Sequence, residues 1–285
     1  ELGNVVGGGT PSTVADDYWN GDIPWITPKD LTGYTSVYIS YGETFITKQG
    51  LNKSAAKLLP KNTVLFSSRA PIGYVALAKN PICTNQGFKS IICDETKVSP
   101  LYFYYYIKTN LDYIKLFGSG ATFPEISGNT MKNIKVNIIE NIEQQQKIAS
   151  ILTVYDNLIE NNNKRIKILE QMAENLYKEW FVRFRFPNYQ NTEFENSALG
   201  KIPKTFSIVK MKDIIDDYIG GGWGSDDSDK SFSIGAYVIR GTDFPNIKKG
   251  DISSCPFRYH KASNYSSRRL KKDDIIIEVS GGTAE

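Results

Sequence analysis

Gly7-Gly8-Gly9-Thr10-Pro11-Ser12 returns as Gly220-Gly221-Gly222-Trp223-Gly224-Ser225, 213 positions later. At the same offset Trp25-Ile26-Thr27-Pro28-Lys29-Asp30-Leu31 faces Val238-Ile239-Arg240-Gly241-Thr242-Asp243-Phe244. At an offset of 211, the block 59–66 (LPKNTVLF) faces 270–277 (LKKDDIII). The three blocks share one chemistry: a glycine turn, an apolar strand ending in polar loop residues, then a charged turn into another apolar strand. The period far exceeds the roughly 20–50 residues of a solenoid unit, so the pattern implies a duplicated domain. The second copy is expected to be incomplete. Glu285 answers to Tyr74 at the 211 offset, whereas the first unit continues through Phe181. A full second unit would run to roughly residue 394, so the sequence reads as a fragment or a naturally shortened product.

Between the copies the pattern changes to a heptad. One set is Ile148, Tyr155, Asn162, Leu169 and Leu176; the other is Leu152, Ile159, Ile166, Ala173 and Trp180. No Pro or Gly interrupts residues 141–181, and Asn141-Ile142-Glu143-Gln144 has the form of a capping box. Five heptads predict a coiled-coil spacer, about 60 Å long, that needs a facing helix. Asn162 on the seam is the kind of polar residue that fixes register at a cost in stability. The chain is therefore expected to be α+β. Residues 1–140 form a first domain of mixed sheet and helices, 141–181 the long helix, 182–203 a linker, and 204–285 the incomplete second copy.

Charge does not reveal the partner. The net charge is +3, with 34 Lys and Arg against 31 Asp and Glu. Residues 1–143, 144–181 and 182–285 contribute +1, 0 and +2, so a nucleic-acid surface must come from local clustering. His260 is the single histidine, which excludes His-rich zinc sites. Cys83, Cys93 and Cys255 are odd in number and lack a C-x-x-C spacing. They read as reduced thiols in a cytoplasmic protein, and no apolar run approaches the length of a membrane span.

Catalytic patterns are scarce. There is no phosphate-binding G-x-x-x-x-G-K-[ST] loop and no G-x-S-x-G elbow. Gly118-Ser119-Gly120 is expected to be a plain turn, because no clear strand precedes it. Phe186-Pro187-Asn188-Tyr189 has the wrong order for a base-methylating tetrad. Glu95-x-Lys97 is half of a metal-dependent nuclease pattern, in which a carboxylate holds Mg²⁺ and a lysine steadies water; a solvated surface pair is the simpler reading. Tyr102, Tyr104, Tyr105 and Tyr106 fit a helix burying one face better than a base-stacking platform.

Domain, long helix, domain: in that order the chain resembles specificity subunits of type I restriction–modification enzymes. The resemblance covers essentially the whole chain. It is carried by 7–12 with 24–31, 67–73 (SSRAPIG), 84–89 (TNQGFK), 118–123 (GSGATF), 143–149 (EQQQKIA) and 176–182 (LYKEWFV). It implies two target-recognition domains, each reading half of a split DNA site, and spacer helices that pack antiparallel. It further implies docking of methyltransferase subunits and association with a restriction/translocase subunit. The chain itself would hold no cofactor; S-adenosylmethionine, ATP and Mg²⁺ chemistry would belong to the partners. The missing remainder of the second domain and the missing second spacer helix depart from that pattern. Two copies of a naturally short chain would then pair through their helices.

Specificity on DNA comes from Arg, Lys, Asn and Gln at base edges, and affinity from cations on phosphates. Lys29, Arg69 and Lys89 are the candidates for phosphates or guanine edges, Asn85 and Gln86 for adenine, and Arg240 stands where Thr27 stands in the first copy. Asn85-Gln86-Gly87 also has the composition of a turn joining two strands. The helix-packing candidates are Ile148, Leu152, Tyr155, Ile159, Asn162, Ile166, Leu169 and Leu176. Two other functions stay open: a stand-alone metal-dependent nuclease around Glu95 and Lys97, and an assembly protein that uses the helix without binding DNA.

Overall fold

The computed structural model describes residues 2–120 and 124–279, which divide into two units, Glu1–Phe186 and Pro187–Glu285. Part of the glycine-bearing block at 118–123 and the end of the second copy, Glu285 included, lie outside the described residues.

Among its described residues the first unit has eight strands: β1 (Gly3–Gly7), β2 (Trp19–Ile26), β3 (Tyr38–Ile39), β4 (Thr44–Ile46), β5 (Val64–Phe66), β6 (Val75–Ala78), β7 (Cys83–Thr84) and β8 (Lys89–Cys93). Helix α1 (Lys48–Asn52) follows β4, and α2 (Pro100–Thr109), α3 (Leu111–Lys115) and α4 (Gly128–Asn133) follow β8. One sheet has the order β1-β8-β5-β6-β3, the other β4-β2-β7. The central strand β5 is buried on both faces, and its alternation separates two cores. Val64 and Phe66 pack with Phe103, Tyr104 and Ile107 of α2, while Leu65 faces Ile26, Leu31, Ile82 and Phe88. The tyrosine run of α2 is core, as its spacing predicts. Tyr104 is fully buried, and the Tyr102 and Tyr106 hydroxyls accept from the backbone N–H groups of Ile139 and Asn137.

The triple glycine is a close-approach site. A Cβ on Gly8 would lie 2.0 Å from the Asn85 carbonyl oxygen, and one on Gly9 would lie 2.3 Å from the carbonyl carbon of Ala55. Gly9 N–H donates to Thr84 O at 2.9 Å, and the Trp25 indole donates to Gly9 O at 2.8 Å. The glycine turn thus locks the ends of β1, β2 and β7 together.

Helix α5 (Ile142–Tyr177) is one continuous element about 54 Å long. The Asn141 side chain accepts from the Gln144 N–H, capping its start. Its first turns are fixed to the first unit by Gln145, Ala149, Thr153 and Asp156. Gln145 is fully buried; it accepts from Ser99 N–H at 2.8 Å and donates to Lys97 O and Ile139 O. Tyr105 donates to Asp156 at 2.6 Å, and burial followed by that carboxylate pushes its phenol pKa up. Beyond Tyr177 the helix widens into a π turn over Lys178–Val182, so the uniform helix expected to 181 changes its winding four residues earlier.

In the second unit, part of the segment expected as a linker, 182–203, is instead a hairpin. Strands β9 (Phe194–Ser197) and β10 (Gly200–Pro203) pair antiparallel; Gly200 takes φ +100° after the turn, Ile202 is buried, and Glu193 and Lys204 close the base at 2.6 Å. The polar composition hid the Phe194/Ile202 pattern, which is too short to stand out as strands. Strands β11 (Ile234–Tyr237) and β12 (Phe257–His260) pair antiparallel, with α6 (Phe244–Ile247) between them and α7 (Ala262–Arg268) after them.

Local geometry recurs between the units at the spacing of the repeat. Thr27 N–H donates to the Asp30 carboxylate, and Arg240 N–H to that of Asp243, each pair capping a short 3-10 turn. The Cβ position of Gly9 abuts Ala55, and that of Gly222 abuts the Arg268 side chain. β2 pairs with β4, and β11 with β12, with registers that differ by one residue at the 213 offset.

Candidate nucleic-acid interface

One end of the first unit's strands carries five of the six candidate DNA-contacting residues, four on loops and turns and Lys89 on a strand. β1 delivers the glycine turn, β2 the turn holding Lys29, β5 the Ser67-Ser68-Arg69 segment and β7 the Asn85-Gln86 turn; Lys89 opens β8 and lies in register with Gly7. Backbone hydrogen bonds tie these loops to one another. Ser68 N–H donates to Gly87 O at 2.7 Å, Asn85 N–H to Ile26 O at 2.9 Å, and Ile126 N–H to Ser68 O at 3.0 Å. Such a rim, polar and mounted on rigid strands, is where a fold places recognition groups.

Each candidate side chain has a partner inside the protein. Lys29 Nζ is 2.9 Å from Glu43 on the exposed surface. Asn85 Oδ1 accepts from Gly87 N–H at 2.9 Å, the geometry of a turn holding β7 to β8. Gln86 is exposed and its carbonyl accepts from the Thr10 hydroxyl. Arg69 and Lys89 meet on one carboxylate: Arg69 Nη1 is 3.4 Å from Glu125 Oε2, and Lys89 Nζ is 3.2 Å from Glu125 Oε1. Arg240 belongs to the second unit and forms a fork on buried Asp243, at 3.0 and 2.9 Å, with Ser254 O at 2.7 Å. The Arg240 guanidinium holds the Asp243 carboxyl down to about 2.

Sequence reasoning missed the acids. Glu43, Asp30 and Glu125 balance the three cations of this rim, and nothing in local composition announced that pairing. The only signal for Glu125 was its position just after the glycine-bearing block at 118–123.

The nuclease pattern is not assembled into a metal cluster. Lys97 Nζ lies 3.1 Å from Asp94, whose carboxylate also accepts from Thr96. Among the described residues, no three His, Cys, Asp or Glu are grouped to hold a metal ion. Cys83, Cys93 and Cys255 are free thiols; burial pushes Cys83 up to about 11 and Cys93 to about 12, away from nucleophilic use. No described helix is long and apolar enough to cross a membrane.

The packing candidates on α5 lie on one exposed face. Ile148, Leu152, Tyr155, Ile159, Asn162, Ile166, Leu169 and Leu176 are all exposed, and none lies in the Gln145–Asp156 stripe that grips the first unit. Ile151, Val154, Leu158, Ile168 and Met172 widen the exposed apolar band. A single surface helix does not ordinarily show so broad an apolar stripe to water.

Residues 1–171 match the model of the type I restriction modification DNA specificity domain. The type I restriction enzyme MjaIX specificity subunit of Methanocaldococcus jannaschii is 47% identical over 218 residues, which is 75% of this chain and 50% of that protein. The EcoR124I/EcoR124II specificity subunit of Escherichia coli is 34% identical over 165 residues, 55% of this chain and 40% of that protein. A crystal structure of the S subunit from M. genitalium aligns with a TM-score of 0.49 at 16% identity, over 80% of this chain and 59% of that one. The chain thus spans about half the length of the curated relatives it matches. With well over half of its residues matched by the family's model, and three quarters aligned to a relative at 47% identity, the protein belongs to the type I restriction–modification DNA specificity family.

Proposed function

We propose that the chain is a non-catalytic DNA-reading subunit of a type I restriction–modification complex. Its first unit reads one half of a bipartite duplex site, and its second unit carries a partial copy of the same module for the other half. The observation that carries this reading is the rim: Lys29, Arg69, Asn85 and Gln86 on loops and turns, and Lys89 at the start of β8, are spread over sixty positions of sequence yet sit at one strand end within the stretch matched by the DNA specificity domain. The recurrence of the Thr27–Asp30 turn at Arg240–Asp243 supports the duplication.

The exposed apolar face of α5 is the docking surface for a methyltransferase subunit, and the assembly includes a restriction/translocase subunit. S-adenosylmethionine, ATP and Mg²⁺ chemistry belongs to those partners, and the complex works in the cytoplasm. The long helix supports this reading as a coiled-coil spacer, since its seam faces solvent when the chain is alone.

Fluorescence anisotropy with duplex pools at several salt concentrations tests the DNA reading. Binding that weakens steeply with salt, at near −0.9 per phosphate contacted, is expected. Co-purification with the neighbouring methyltransferase, followed by mapping of methylated positions in host DNA, tests the specificity role. A chain that binds no duplex at any salt concentration, with or without that partner, overturns the reading in favour of a pure assembly role.

A further inference from the structure

Glu125 joins two cations that the sequence keeps far apart. Arg69 leaves β5 and Lys89 opens β8, yet each puts one nitrogen on a separate oxygen of the same carboxylate. The carboxylate is itself fixed. Glu125 exchanges two backbone hydrogen bonds with Ser119, at 2.9 and 3.0 Å, and the next residue donates from Ile126 N–H to Ser68 O. The Lys89 side chain is only 16% exposed, whereas Arg69 keeps 39% and Glu125 36% of theirs open to solvent. The cluster carries +1, half of what its two cations would carry alone.

We propose that Glu125 is a specificity-determining positioning residue that turns Arg69 and Lys89 from phosphate binders into readers of a base edge. This deepens the DNA-reading assignment above and rests on it. A phosphate brought to this pair meets the negative charge of Glu125 as well as the two cations, so a large part of the attraction is cancelled. A guanine edge is different. Its O6 and N7 acceptors carry no net charge, so Glu125 does not repel them. One edge of a planar guanidinium can stay on the carboxylate while the other addresses the base, and the carboxylate fixes the plane in which it does so. The arrangement lowers sequence-independent affinity and leaves base readout intact.

The test compares wild type with Glu125→Gln in the full chain. The probes are a random-sequence duplex pool and the duplex that wild type selects from that pool. Glu125→Gln keeps the size of the side chain and unmasks one charge. The variant should bind the random pool about three- to tenfold more tightly near physiological salt, with a salt slope steeper by about 0.9. Its preference for the selected duplex should fall by a similar factor. Wild-type binding with unchanged random-pool affinity and slope in the variant overturns the inference and leaves the DNA reading standing. Failure of wild type to bind either probe overturns both. Should Glu125→Gln not fold, as read by thermal melting, Arg69→Gln carries the test. It takes the cluster from +1 to 0, so random-pool affinity should fall by a few-fold, as one unit of charge dictates, while selectivity for the selected duplex drops further. A loss of about tenfold or more on the random pool would place Arg69 on a phosphate and overturn the inference.

Discussion

Gly7, Gly8 and Gly9 look alike in sequence and do different work. A Cβ at Gly7 meets nothing within 4 Å, whereas one at Gly9 would enter the backbone of Ala55 and Ala56. Gly9→Ala should therefore cost about 3 kcal/mol or more, or prevent folding of the first unit, while Gly7→Ala should change stability by less than about 1 kcal/mol. Urea melts of the two variants decide it, and equal midpoints would contradict the packing account. Gln145 is a second case. It fills the hydrogen-bonding needs of Ser99 N–H, Lys97 O and Ile139 O, so Gln145→Leu strands three backbone groups and should cost about 2–4 kcal/mol. The residue was legible only as part of a motif of family likeness, because its partners 46 and 48 positions away are invisible to helical periodicity. In the second unit, Asp243 titrates well below an ordinary carboxylate because of Arg240. Its contribution to folding is complete above about pH 4 and is lost as pH falls through about 2. Wild type should lose more stability across that window than Asp243→Asn does, as followed by circular dichroism between those pH values.

At the scale of elements, the heptad told the truth about continuity and hid how the helix is held. Residues 142–177 form one helix, which the absence of Pro and Gly permits. The stripe that anchors it to the first unit is polar and small, Gln145, Ala149, Thr153 and Asp156, and so escaped a search for apolar repeats. The seam residues were legible because they are large and apolar, and they face water. Leu169→Asp should abolish partner binding or self-association while leaving the first unit folded, since Leu169 makes no part of its core. Light scattering with and without the methyltransferase reads the outcome, and an unchanged assembly mass would count against a docking role. The β9–β10 hairpin was illegible for the opposite reason: two four-residue strands of mixed polarity carry too little pattern to be told from a linker.

For the whole molecule, the two units share a turn and a glycine contact at one spacing, and a strand pair whose register slips by one residue. The purified chain should neither methylate nor cleave DNA when given S-adenosylmethionine or Mg²⁺. Tritium transfer and plasmid nicking assays measure this, and turnover above background in either would revive an enzymatic reading centred on Glu95 and Lys97. The π turn at Lys178–Val182 bears on how any partner engages the rod. A wider winding shifts the side chains beyond Tyr177 out of the helical phase that both heptad sets keep up to Leu176. A helix laid along the line from Ile148 to Leu176 therefore runs out of matching knobs after four heptads. For a partner helix laid along that line, the footprint would end with Leu176, about 42 Å from Ile148.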